Sequence, residues 1–196
     1  MKRCAWACSH PLLSDYHDRE WGFPRRGNDC IHFEFLILEA AQAGLSWLTV
    51  LKKREGYRKH FANFNFNKVA KFGEAEIKRM LKDPAIIRNE LKVRSAVSNA
   101  KPFLAIRKEF GSFDAYLWGF VKEKAVQNPI RSMKDLVPNS PLSDAISKDL
   151  KKRGFRFVGT TVIYSHLQAV GLINDHELSC FRRLPCRQAG KTCASV

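Results

Sequence analysis

Apolar residues recur along most of this chain with a helical period rather than in strand-like alternation. Over residues 33–43 they cover nearly the whole circumference of each turn, with no Pro or Gly inside, which predicts a helix buried on most sides. Gly44 predicts its end, Ser46 the N-cap of a second helix over residues 47–60, and Lys52, Lys53 and Arg54 lie along that helix. Upstream, Ser14 is expected to cap a brief helix through Tyr16 and His17, closed by Gly22 and Pro24. Downstream, residues 65–67 read as a turn before short helices at 68–72 and 74–82. A long basic helix is expected over 85–110, kinked or divided at Pro102, and an apolar one over 112–121. Residues 122–140, with Pro129 and Pro138, read as a long connection. Ser143 is expected to cap a helix through Arg153, a tight turn spans 154–159, Thr160 opens a helix to Gly171, and a short helix spans 174–183. The predicted fold class is therefore all-α, one unit over residues 1–183 that two helical lobes meeting near Glu39 would satisfy. Residues 184–196 have little to bury and are expected to form a flexible tail.

Composition narrows the partners. In 196 residues, 45% hydrophobic and 27% charged content are those of an ordinary soluble globular protein. Lys and Arg number 34 against 19 Asp and Glu, a formal charge of +15, which argues for a polyanion, most often nucleic acid. A membrane surface is the other reading, but no basic amphipathic segment stands out and no apolar run approaches the ~20 residues of a spanning helix. The start, MKRCAWACSHPL, lacks the apolar stretch of a secretory signal, so a cytoplasmic protein, acting as a monomer, is expected. In that reducing setting the six cysteines are not expected to pair as disulfides, and Cys30 reads as a small core residue.

Four groups of residues carry chemistry. Phe35, Glu39 and Gln42 fall at i, i+4 and i+7, so one face of the apolar helix bears an acid, an amide and a ring. A lone acid among apolar neighbours either meets an arginine or backbone amides and orients two helices, or it faces a pocket beside Trp47. His176 and Cys180, read as one helical turn, present two soft ligands on one face. Cys4 and His17 offer a second pair, with Cys8 and His10 as rivals. Cys4, His17, His176 and Cys180 would close a four-coordinate structural zinc site joining the chain ends, with no position left for water. From Lys148 to Thr161, a helix ending in Lys151, Lys152 and Arg153, a turn between Gly154 and Gly159, and a new start at Thr160 and Thr161 suit a DNA phosphate. Finally, Trp6, Tyr16, Trp21 and Trp47 supply flat rings that suit an extruded, cationic base.

The pieces C-x-W, YHDREWGFP, LEAAQAGLSWLTVLKKRE, KKRGFRFVGTT and GLINDHELSC resemble, in order and over residues 1–183, those of the 3-methyladenine DNA glycosylase I family. The resemblance implies an α-helical helix-hairpin-helix fold whose termini are joined by structural zinc on Cys4, His17, His176 and Cys180. It implies a base pocket of Trp6, Tyr16, Trp21 and Trp47 around Glu39, the residue assigned to catalysis. The corner carrying Gln42, Gly44 and Leu45 would probe the gap left by a flipped nucleotide, and the 151–161 hairpin would hold the backbone. The implied substrate is double-stranded DNA with alkylated bases, and the product 3-methyladenine. Two departures stand out. Leu13 occupies a position where many members carry tyrosine, and the wider superfamily's water-activating aspartate is absent from the family, so Asp175 is not assigned to catalysis. A zinc-clasped helical protein that holds DNA and cleaves nothing fits composition and hairpin equally well.

Overall fold

The structure, a computed structural model, describes residues 1–192. After a 3₁₀ turn at Ala5–Cys8 come α1 (Pro11–Arg19), α2 (Asp29–Gln42) and α3 (Trp47–His60). Then follow α4 (Phe66–Val69), α5 (Glu74–Lys82), α6 (Glu90–Phe110) and α7 (Phe113–Gly119). A two-residue strand β1 (Val126–Gln127), α8 (Pro141–Lys152), α9 (Thr160–Ala169), a second strand β2 (Ile173–Asn174) and α10 (Arg183–Thr192) complete the chain.

The central element is α2. Phe33, Phe35, Leu36, Ile37, Leu38 and Ala41 are all buried, and α3, α6, α7 and α9 pack around it. It begins four residues before the apolar run, where the Asn28 side chain accepts from the Ile31 N–H at 3.2 Å. Asp29 in its first turn is buried because it accepts from the N–H groups of Phe113 and Asp114 and from Arg107. Cys30 points the other way and is exposed, so it is not the core residue the sequence suggested. Among the described residues five cysteines are free; Cys193 lies outside them. No described helix is long and apolar enough to cross a membrane.

Helix α6 starts at Glu90, capped by Asn89, and runs unbroken through Pro102. Buried Val93, Ala96 and Ala100 before the proline and Phe103 and Ile106 after it hold both halves against the core, which outweighs one missing hydrogen bond. At α8 the cap is Ser140 rather than Ser143. Pro141 takes the first helical position, and the two serines bond each other's backbone N–H, at 3.2 and 2.8 Å.

The helix expected over 174–183 does not form. Asn174, Asp175, His176 and Glu177 are buried in succession, and the side chains of Asn174 and Asp175 bond Gln127 and Asn128 of the neighbouring connection, at 2.9 and 2.7 Å. The chain instead runs extended beside the 122–140 connection: Val126 pairs with Ile173 and Gln127 with Asn174 in parallel, and the Leu178 N–H reaches the Ile130 carbonyl at 2.7 Å. The tail also differs from expectation as far as Thr192. Arg183 donates to the carbonyls of His176 (2.6 Å) and Asn128 (2.9 Å), and Cys186 is buried, so α10 docks on the extended segment. Residues 193–196 lie outside the described residues.

Gly171 joins α9 to β2 at φ +78°, and a Cβ there would stand 2.4 Å from the Pro24 nitrogen and 2.5 Å from the Phe23 carbonyl carbon. Gly154 also has a positive φ, +92°, but nothing lies within 4 Å of its missing Cβ. Gly171→Ala is therefore expected to cost ~3 kcal/mol or more, strain plus clash, and Gly154→Ala only ~1 kcal/mol. Urea unfolding of both variants checks this; equal losses would contradict it.

Candidate functional site

The end of α2 and the start of α3 meet at the corner 43–46, where Ser46 caps α3 by accepting from the Thr49 N–H at 3.1 Å. That corner sets Glu39 and Gln42 beside Trp47. With Trp6, Tyr16 and Trp21 from the first 21 residues, Met133 and Leu136 from the long connection, and Ser165 and Gln168 from α9, they enclose a cavity of about 180 Å³. Its walls are mostly rings: Tyr16 and Trp47 have centroids 5.3 Å apart, Phe35 backs Trp47 at 6.4 Å, and Trp6 meets Trp21 edge-on at 5.0 Å. A second recess of similar volume continues from it past Glu39, Gln42 and Ser165 to Gly44, Leu45 and Thr161. The cavity thus opens toward both the corner and α9. Leu13 is buried on α1 and is not part of this lining.

Glu39 is 4% exposed and makes no side-chain hydrogen bond or ion pair among the described residues. The neighbouring cation, Arg54, is committed elsewhere: it donates to Glu20 at 2.7 and 2.8 Å and to Glu34 at 2.8 Å, with its guanidinium over Phe35. Burial alone pushes the Glu39 carboxyl up to about 8. Burial, and next the Glu39 charge, hold the Tyr16 phenol well above its ordinary range. The Trp47 indole N–H is buried without a partner among the described residues. An acid and a donor left unmet in a ring-lined cavity are costly to the empty protein and available to a ligand. The reading in which an arginine satisfies Glu39 and the pair merely orients two helices does not hold.

Cys4, His17, His176 and Cys180 come together, all buried, although His176 and Cys180 lie on extended chain and a turn rather than on a helix. Their four ligand atoms lie within 4.8 Å of one another. Cys180 Sγ is 3.4 Å from His17 Nε2 and 3.5 Å from His176 Nδ1, and Cys4 Sγ is 3.6 Å from His176 Nδ1. Ligands at 2.0–2.3 Å from a tetrahedral centre stand about 3.3–3.8 Å apart, so the spacing fits a metal. The remaining ring nitrogens are held from behind. His17 Nδ1 donates to Asp18 at 2.8 Å, which Arg3 grips in turn, and His176 Nε2 donates to the Trp21 carbonyl at 3.1 Å. The hydrogen bond from Cys4, then those from His17 and His176, hold the Cys180 thiol far below its ordinary range, while the same bond and burial hold the Cys4 thiol above its own, so the two sulfurs share one proton. Of the rivals, Cys8 is exposed and His10 caps α1, accepting from the Leu12 N–H.

The hairpin between α8 and α9 is tied internally. Ser147 donates to the Val158 carbonyl at 2.7 Å, and Ser143 and Thr160 share a hydrogen bond of 2.8 Å. Arg153 bonds Asp149 (2.7 Å) and Glu109 (2.6 and 3.1 Å) and lies over Phe110 and Tyr116. It braces the turn. Lys151, Lys152, Gly154 and Thr161 are exposed, and Gly159 is half-buried. Four lining residues escaped the sequence reading. Ser165 and Gln168 follow Thr161 at i+4 and i+7, a spacing that mirrors Phe35, Glu39 and Gln42 and was there to be found. Met133 and Leu136 sit in an aperiodic connection and gave no signal.

Comparison with known proteins matches the geometry to a family. The model of the methyladenine glycosylase family matches residues 6–183. DNA-3-methyladenine glycosylase 1 of Escherichia coli (strain K12) is 43% identical over 180 residues, 92% of this chain and 96% of that protein. DNA-3-methyladenine glycosylase of Haemophilus influenzae is 40% identical over 185 residues, 94% and 97% of the two chains. A variant of 3-methyladenine DNA glycosylase I, solved in complex with 3-methyladenine, superposes with a TM-score of 0.89 at 34% identity, covering 93% of this chain and 98% of that one. The chain belongs to the methyladenine glycosylase family.

The raised Glu39 carboxyl fixes a pH dependence. Because its folded value, about 8, lies above the ordinary 4.5, its contribution to stability is intact below pH 4.5 and is lost as pH rises toward 8. Glu39→Gln removes this term. The variant is expected to match the parent near pH 4.5 and to be more stable by roughly 2–4 kcal/mol at pH 8. Urea titrations at several pH values check it, and parallel profiles for the two proteins would refute it.

Proposed function

We propose that this protein is a DNA-3-methyladenine glycosylase, hydrolysing the bond between 3-methyladenine and deoxyribose in alkylated duplex DNA. The observation that carries the reading is the buried, unpaired Glu39 facing a cavity walled by Tyr16, Trp6, Trp21 and Trp47. Family membership supports it, as does the ligand of the solved relative.

Methylation at N3 gives adenine a positive charge, so its bond to the sugar is already weak and the base leaves without being protonated. Extrusion into the cavity sets that cation among rings, whose faces attract it, and next to a carboxyl that burial keeps protonated when the cavity is empty. The incoming charge weakens the hold of Glu39 on its proton, which passes to solvent as the base enters, and the carboxylate then stabilises the cationic base and accepts its N–H groups. As the bond breaks, its electron pair goes to the base and the sugar becomes oxocarbenium-like. Water adds to C1′ and loses a proton to solvent, leaving neutral 3-methyladenine and an abasic sugar. An undamaged adenine brings no charge to ionise the acid and leaves slowly, so discrimination resides in the reaction as much as in the fit.

Outside the cavity, we read α8, the 153–159 turn and α9 as a helix-hairpin-helix gripping a phosphate through Lys151, Lys152, Gly154, Gly159 and Thr161, with Arg153 and Thr160 as braces. We read Gln42, Gly44 and the exposed Leu45, which line the recess beside Glu39, as the wedge that fills the vacated stack. Zinc is the metal the Cys4, His17, His176 and Cys180 set selects. With four protein ligands it is structural and takes no part in the reaction. A protein that only held DNA would gain nothing from a desolvated acid facing an aromatic cavity.

Glu39→Gln is expected to lower release of 3-methyladenine from methylated DNA about 10²-fold while leaving affinity for undamaged duplex unchanged. Equal losses in both would make the residue architectural. Purified protein is expected to hold about one zinc per chain, and Cys180→Ser to lose it together with ~2–5 kcal/mol of stability. Zinc analysis and thermal unfolding decide this, and undiminished zinc in the variant would mean other ligands.

A further inference from the structure

Asp175 lies beyond the cavity and touches none of the reacting groups, yet one wall residue depends on it. It is 1% exposed, and three donors converge on its carboxyl: Tyr164 Oη and Gln168 Nε2 on Oδ2, both at 2.7 Å, and Asn128 Nδ2 on Oδ1 at 2.7 Å. Gln168 lines the cavity. An amide carries its donor and acceptor on opposite sides of one carbon, and a carboxylate accepts only. With Nε2 committed to Asp175, the atom Gln168 has left to offer the cavity is Oε1, which accepts no hydrogen bond among the described residues.

We propose that Gln168 is a specificity-determining residue, and Asp175 the residue that positions it, presenting a fixed acceptor that favours alkylated purines bearing an exocyclic amine over those bearing a carbonyl at the same edge. The inference rests on the glycosylase reading and goes beyond it. Glu39 cannot make this distinction alone. A carboxyl that burial pushes up to about 8 is a donor when protonated and an acceptor when ionised, so it satisfies an amine or a carbonyl. A free amide has the same ambiguity, because it turns over. Only a group whose polarity is locked from behind rejects the wrong edge, by leaving two acceptors facing each other.

The test is binding of free 3-methyladenine and free 3-methylguanine, followed through the fluorescence of the cavity tryptophans. Parent protein is compared with Gln168→Ala, Asp175→Ala, the double variant and Tyr164→Phe. The last removes a donor from the same carboxyl without touching Gln168. The expected result is a preference for 3-methyladenine in the parent, reduced about tenfold by Gln168→Ala and by Asp175→Ala, no further in the double variant, and retained in Tyr164→Phe. An unchanged preference in Gln168→Ala overturns the proposal, and this holds even if Asp175→Ala fails to fold. Additive effects of the two substitutions, or a matching loss in Tyr164→Phe, overturn the positioning role of Asp175. A parent that binds neither base overturns the glycosylase reading itself.

Discussion

The cavity exists only because the first 21 residues are fastened to the far end of the chain. Trp6, Tyr16 and Trp21 are three of the four rings that line it among the described residues, yet the segment that carries them is short and builds no core of its own. It is held by the cluster of Cys4 and His17 with His176 and Cys180, by the backbone bonds of Gly22 and Arg25 to Gln168 and Val170, and by the close pass of Gly171 under Phe23 and Pro24. Each of these contacts links residues about 150 or more apart in sequence. Closing so long a loop is entropically unfavourable, and a tight cluster at its base offsets that cost in one place. The rings then need only local packing to stay in position.

Against this fastened wall stands α2, whose burial creates the chemistry. A carboxyl on a helix surrounded by other helices would ordinarily be neutralised by a cation within reach. Here Arg54, whose guanidinium lies over Phe35 on the helix that carries Glu39, is held by Glu20 and Glu34 instead. The destabilised acid is therefore a consequence of its burial on α2 with no cation paired to it among the described residues. Stability is given up at Glu39, and what is gained is a site that responds to a cation.

Much of this was legible in the sequence, for reasons that differ by element. The α2–α3 corner could be read almost to the residue, because an uninterrupted apolar run, Gly44 and the Ser46 cap act through local geometry. The meeting of Cys4, His17, His176 and Cys180 was legible from residue types and the chain-wide resemblance, although the helix assumed for His176 and Cys180 is absent. A four-residue spacing brings two side chains together across a turn as well as along a helix. That α6 is not divided at Pro102, and that a helix follows at Arg183–Thr192, could not be read because local propensity counts neither the core packed on both sides of the proline nor the carbonyls that await Arg183. The remaining lining residues, Met133, Leu136, Ser165 and Gln168, come from segments whose arrival at Glu39 is a matter of tertiary folding. Arg153 needed the fold as well: a cation at a helix end looks ready for phosphate, and its ion pairs with Asp149 and Glu109 are visible only once the fold sets those residues beside it.

That bracing arginine limits what the proposed hairpin can offer an undamaged duplex. With the guanidinium already neutralised by Asp149 and Glu109, only Lys151 and Lys152 of its three terminal cations would displace counterions, beside uncharged amides and a hydroxyl. On that reading salt loosens the grip, but less steeply than a count of basic residues in the turn suggests. A search for rare lesions would then proceed by brief visits, with the long residence reserved for the nucleotide whose own charge completes the site.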